Sequence, residues 1–244
     1  MRRAVHDPKL AVVSADYRFA PQAKLPEIFS DVTDSISFVR STLPSHLPAN
    51  AIDTTRLCVS GSPAGGYLAL LAGLYCEPKP TCLLAIYPIT DPLGQFFTTP
   101  QPPPMQRPLM SREELKECLD PTTPVVANCG PVGEDVRMNM YVRMMADASL
   151  PALLGIAGLE REEARRWRVS RNVYERSLPP VYVIHGDGDE AVGVEQADEV
   201  VGASMGCGIG VRYERVHGAN HFLDVGEGWE NEGMYAWVME KLGV

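Results

Sequence analysis

The sequence predicts an α/β fold, a mostly parallel sheet flanked by helices, and two observations predict it. Short β-branched runs alternate with stretches of helical periodicity along most of the chain, as they do where crossover helices join parallel strands. The 244 residues, 45% apolar and 22% charged, are enough to bury the core that such a sheet needs.

The elements follow in order. Residues 10–14 (Leu-Ala-Val-Val-Ser) read as a buried strand running into Asp16-Tyr17-Arg18. A helix starts at Pro26, well placed in a first turn, with Ile28, Val32, Ile36 and Val39 on one face. Residues 57–60 form the next strand and residues 64–75 the next helix. Residues 83–87 and 181–184 are further buried strands. Residues 211–216 alternate as a last strand, and residues 230–242 close the chain as an amphipathic helix.

The pattern changes between Asp91 and Pro179. Pro100, Pro102, Pro103, Pro104 and Pro108 interrupt any helix or central strand, so this stretch is a loop. Ser111-Arg112-Glu113-Glu114 has capping-box form and starts a helix through Leu119. Met138, Met140, Met144 and Met145 lie in a second helical stretch, and residues 160–169 in a third. The methionines read as packing onto the core ahead of an adaptable pocket lining.

Composition narrows the partners. The formal charge is −9 and the basic residues are scattered, which argues against nucleic acid or an anionic membrane surface as the main partner. Cys58, Cys76, Cys82, Cys118, Cys129 and Cys207 form no CxxC pair and no metal-ligand spacing, so they read as reduced thiols. No metal or organic cofactor is implied. Met1 to Asp7 carry two positive charges with no apolar run behind them, so no signal peptide is expected. The longest apolar run, residues 67–76, is too short to span a bilayer. A cytoplasmic protein with no membrane span is expected.

Four segments carry chemistry. The first is Val13-Ser14-Ala15-Asp16-Tyr17-Arg18-Phe19-Ala20-Pro21, followed by Lys24-Leu25-Pro26 and Asp31. The second is Gly61-Ser62-Pro63-Ala64-Gly65-Gly66 between a strand and a helix. The third, His185-Gly186-Asp187-Gly188-Asp189, ends a strand, and the fourth is His217-Gly218-Ala219-Asn220-His221-Phe222. In this order they resemble the hormone-sensitive-lipase-like esterases of the α/β-hydrolase superfamily, whose chain order is elbow, acid, histidine. The resemblance implies the α/β-hydrolase fold as a single domain over 1–244, with 92–178 as a helical cap insertion. It places Asp189 as the triad acid and His221 as the base. Physically, a carboxylate on the far imidazole nitrogen fixes the tautomer and stabilises the imidazolium. Asp187, Glu190 and Asp224 rank below Asp189 for that role. His185 and His217 read as turn and strand-end hydrogen-bonding residues.

Two parts depart from the family pattern. The elbow serine falls on Pro63, flanked by Ala64 and Gly65. Proline locks φ near about −65°, whereas the elbow nucleophile sits in a strained turn, so Pro63 is expected to reshape it. Proline also biases the preceding residue to extended backbone, which carries the strand through Ser62. An offset of one residue then turns Ser62 away from His221 unless the turn is rebuilt. The resemblance further implies an upstream strand leading to an HGGG oxyanion loop, lying between the 10–14 and 57–60 strands. Only Met1 to Pro8 stand there, so the chain reads as N-terminally truncated relative to the family.

Three functions fit. The first is a carboxylic-ester hydrolase lineage acting on a small apolar or ester-type molecule, impaired or working through Ser62. The second is a non-hydrolytic enzyme (lyase, isomerase or cyclase) using the His221–Asp189 pair as general base. The third is a non-catalytic small-ligand-binding protein. An unprotected sheet edge would favour a homo-oligomer.

Overall fold

The computed structural model describes residues 2–7, 9–128, 136–225 and 229–244. Cys129 of the thiol reading, and Met1 and Pro8 of the N-terminal reading, lie outside them.

Among the described residues, four strands form one sheet in the order β1 (Cys58–Gly61), β2 (Cys82–Ile86), β3 (Val181–Gly186) and β4 (Val211–Val216). Every pairing is parallel, with Cys58 beside Cys82, Leu83 beside Val181, and Val181 beside Val211. The helices of eight residues or more are α1 (Leu25–Ser41), α2 (Ala64–Tyr75), α3 (Val136–Ala146), α4 (Val169–Arg176), α5 (Glu195–Gly206) and α6 (Glu232–Leu242).

Strand alternation divides the core into two faces. Leu83, Ala85, Val181 and Val183 join one cluster with Leu70, Leu71 and Leu74 of α2 and Ile28, Val32 and Ile36 of α1. Leu84, Tyr182 and Ile184 point the other way, against Met234, Trp237 and Val238 of α6. The middle of the sheet is dry: all six residues of β3 are buried. Helix α2 is buried from Gly66 to Leu74, which its nearly all-apolar sequence requires.

The segment between β2 and β3 holds short helices and loops whose apolar residues join the first cluster. Met144, Met145, Leu150, Ile156, Trp167 and Val173 all pack there. The Ser111–Glu114 capping contacts form, with the Ser111 amide 2.8 Å from a Glu114 carboxylate oxygen. Regular helix is confined to Lys116–Leu119, however. The stretch 160–169 also splits, into Arg161–Arg165 and the start of α4, because Trp167 turns into the core between them.

Two expectations are corrected. Residues 10–16 join no strand, and Val12 and Val13 are 43% and 49% exposed. A strand is held by its ladder, and this segment has no ladder partner among the described residues. It is anchored instead at its end, where the Arg18 Nε and Nη2 groups grip the Asp31 carboxylate on α1 at 2.9 and 2.8 Å. That ion pair, led by the Arg18 hydrogen bonds, holds the Asp31 carboxyl below its ordinary range. The second correction concerns β1, which stops at Gly61, one residue short of Ser62. Ser62 forms the bend into α2, and its carbonyl already accepts from the Gly65 amide at 3.3 Å.

The bend is tight. A Cβ built on Gly61 would lie 2.3 Å from the Gly65 carbonyl carbon, whereas one on Gly65 would meet nothing within 4 Å. Gly61→Ala is therefore expected to cost about 1–3 kcal/mol in urea denaturation. Gly65→Ala should be neutral or gain up to about 1 kcal/mol, as alanine does in a helix. Wild-type stability of Gly61→Ala would contradict this packing.

Candidate active site

The site lies where the strand ends meet three turns: the bend after β1, the turn after β3 and the turn after β4. At the first, Pro63 has φ −68° and ψ −41° and caps α2, its carbonyl accepting from the Tyr67 amide at 3.1 Å. No residue from 61 to 66 has positive φ. The bend is thus a relaxed helix start without the strained residue that would present an elbow side chain. Ala64 is exposed, and Gly65 and Ser62 are half-buried.

The second and third turns are packed backbone to backbone. The Gly188 amide donates to the Ala219 carbonyl at 3.0 Å, and a Cβ on Gly186 would lie 2.2 Å from that same oxygen. This close approach brings Asp189 to His221, whose Nδ1 lies 2.7 Å from the Asp189 Oδ2. Both side chains are almost wholly enclosed.

Asp189 has further partners. Its Oδ1 accepts the amides of Ala191 and Val192, each at 2.8 Å. Its Oδ2 also lies 3.3 Å from the Nε2 of His185, which is 2.9 Å from the Val192 carbonyl. That carbonyl can only accept, so the His185 proton sits on Nε2, and its buried Nδ1 has no partner among the described residues. Burial pushes the Asp189 carboxyl upward, but the hydrogen bonds from His185 and His221, the His221 charge and the Val192 amide outweigh it. The net result is a carboxyl at about 2. It is a carboxylate at any ordinary pH, suited to stabilising a protonated His221. His217 pairs with Asp187 at 3.1 Å on the surface and stands apart.

Sequence reasoning passed over two further residues. Tyr87, at the end of β2, is buried with its ring centroid 4.5 Å from that of His221. Its hydroxyl is bonded to the Asp224 carboxylate. Burial first, and Asp224 second, push the Tyr87 ionisation far above the ordinary range. Phe222 lies edge-on to His221, also at 4.5 Å, and within 6.4 Å of the Tyr87 ring. No hydrogen bond joins Ser62 to His221 among the described residues.

Two cavities lie elsewhere. One of about 330 Å³ is bordered by Asp91, Gln101, Glu195 and Glu199, and one of about 410 Å³ by Val13, Asp16 and Phe38. Neither is lined by Ser62, Asp189 or His221.

This arrangement of turns on a parallel sheet has relatives. The BD-FAE family model matches residues 1–203. The chain belongs to the BD-FAE family. Solved structures share the α/β-hydrolase fold of this BD-FAE chain. An α/β-hydrolase superfamily protein from Enterococcus faecalis superposes with a TM-score of 0.65 at 18% identity, covering 93% of this chain and 75% of that one. Esterase B from Lactobacillus rhamnosis, inhibited by a tributyrin phosphonate, gives 0.57 at 17% identity over 93% and 62%. Among curated proteins, the non-reducing polyketide synthases ausA of Aspergillus calidoustus and adrD of Penicillium roqueforti are 25% and 27% identical over 88% and 90% of this chain. The chain spans about a tenth of the length of these synthases. No helix among the described residues is long and apolar enough to cross a membrane.

The depressed Asp189 ionisation has a measurable consequence. A carboxyl at about 2, against about 3.9 unfolded, stabilises the fold above pH 4 and loses that contribution as pH falls through 2. The stability gap between wild type and Asp189→Asn should narrow by about 2 kcal/mol between pH 5 and pH 2 in urea titrations. A gap independent of pH would show that Asp189 is not held as a low-range carboxylate.

Proposed function

We propose that this BD-FAE chain processes acyl esters or thioesters, with His221 as general base and Asp189 orienting it, in a carboxylic-ester hydrolase lineage that has lost its elbow hydroxyl. The observation that carries the reading is the enclosed 2.7 Å contact between His221 Nδ1 and Asp189 Oδ2, retained beside an elbow occupied by Pro63. A base without the usual nucleophile still activates water. His221 takes a proton from water as the oxygen adds to the acyl carbonyl, and the leaving alcohol or thiol takes that proton when the adduct collapses. Asp189 stabilises the intervening imidazolium. Residues 92–178 are read as a cap over this chemistry.

Two findings support the substrate class. The fold neighbours include a phosphonate-inhibited esterase, and relatives in sequence are named non-reducing polyketide synthases. Turnover is expected to be slow, because Pro63 leaves the usual double displacement without its hydroxyl.

Purified protein should hydrolyse p-nitrophenyl butyrate slowly, and His221→Ala should lower that rate about a hundredfold, the scale of general-base catalysis. Pro63→Ser should raise it by restoring a hydroxyl at the elbow. Undiminished turnover by His221→Ala would exclude His221 as the base.

A further inference from the structure

A general base must aim one ring nitrogen, and a single hydrogen bond does not aim an imidazole. The His221 side chain makes one hydrogen bond among the described residues, from Nδ1 to Asp189. That bond places Nδ1 but leaves the ring free to tilt about the contact. The direction of Nε2 is then set by what the ring lies against. It lies against Tyr87, with centroids 4.5 Å apart and planes at 56°, and edge-on to Phe222.

Tyr87 touches the histidine turn twice. Its ring meets His221, and its hydroxyl, at the far end of the same side chain, is bonded to the Asp224 carboxylate three residues further along. A carboxylate can only accept, so the Tyr87 hydroxyl is the donor. Burial and Asp224 both keep that hydroxyl protonated. The side chain thus braces the turn from His221 to Asp224.

Both ends of the brace stand on backbone that bulky residues avoid. Tyr87 has φ 36° and precedes Pro88, a position where extended backbone is favoured. Phe222, between His221 and Asp224, has φ 62°. Such conformations persist only where their surroundings over-determine them. The platform under Tyr87 is firm. Its amide donates to the Ile184 carbonyl at 2.7 Å, and the Ile89 amide donates to the Pro63 carbonyl at 3.2 Å. The histidine turn has less to hold it. Within the turn, the Val225 amide donates to the Phe222 carbonyl at 3.0 Å, and Asp224 is half-buried.

We propose that Tyr87 and Asp224 form a latch that holds the histidine turn closed and aims His221. Both are positioning residues, and neither exchanges a proton with substrate. The proposal rests on the reading of His221 as the base of this site. Opening the latch frees Phe222 to leave the left-handed region, and the neighbouring His221 ring loses its fixed direction.

The test uses the full chain and needs no substrate: exchange of the His221 Nδ1–H with water, measured by NMR saturation transfer. Tyr87→Phe keeps the ring and removes only the hydroxyl. It should speed that exchange at least about tenfold, the scale of one hydrogen bond to a charged group. Asp224→Ala should do the same and covers the case in which Tyr87→Phe does not fold. The two side chains act as one unit, so the double variant should exchange no faster than either single one. In p-nitrophenyl butyrate hydrolysis the same variants should lower kcat and leave KM unchanged. Wild-type exchange in either folded single variant, effects that add in the double, or a raised KM with unchanged kcat would overturn the latch. Undiminished turnover by His221→Ala would strike the base reading instead, and the exchange measurement would still decide whether the latch holds the ring.

Discussion

The site is organised around one buried carboxylate. Removing a carboxylate from water costs several kcal/mol unless its lone pairs are filled, and Asp189 fills them with two amides and the His221 imidazole, with the His185 ring nitrogen 3.3 Å away. Those partners come from different parts of the chain: His185 ends β3, Ala191 and Val192 lead towards α5, and His221 follows β4. Satisfying one charge therefore fixes the approach to α5 and the histidine turn together, with the His185 ring 3.3 Å away at the exit of β3. The glycines at 186 and 188 make this geometrically possible, since a side chain at 186 would collide with the Ala219 carbonyl. His221 owes its orientation to this contact of backbones as much as to its own hydrogen bond.

The elbow side obeys a different constraint. With Pro63 in helical backbone, the strand-to-helix bend costs no left-handed residue, and α2 starts without strain. Positive-φ residues stand across the site instead, at Tyr87 and Phe222. Strain at a buried aromatic between two functional turns is maintained only by the packing around it, here His221, Phe222 and Asp224. The two halves of the site are thus unlike: a buried carboxylate satisfied by amides and imidazole, and a strained tyrosine held by packing and by its bond to Asp224.

Much of this was legible locally. The strands at 58–61, 82–86, 181–186 and 211–216 are continuous or alternating apolar runs, and α2 and α6 follow from periodicity and flanking turns. Asp189 and His221 were legible from the resemblance of their turns to the acid and histidine turns of the esterase family. What failed was non-local. Residues 10–14 have a strand's composition, but a strand exists only with a partner, and no run of five residues encodes one. Helix α5 escaped notice because Gly202 and Gly206 interrupt a weak apolar pattern. Tyr87 and Asp224 are 137 positions apart, and only the sheet topology brings them together. His185 looked like an ordinary strand-end histidine. Its second contact, to Asp189, depends on the chain turning back within four residues.

The most direct measurement is proton NMR of the imidazole N–H groups, assigned to His221 with ¹⁵N-histidine labelling. A buried Nδ1–H donated to a carboxylate at 2.7 Å should appear as a far-downfield, slowly exchanging resonance at neutral pH, and Asp189→Asn should abolish it. A rapidly exchanging His221 N–H, or a downfield resonance unchanged in Asp189→Asn, would contradict the pairing on which the site depends.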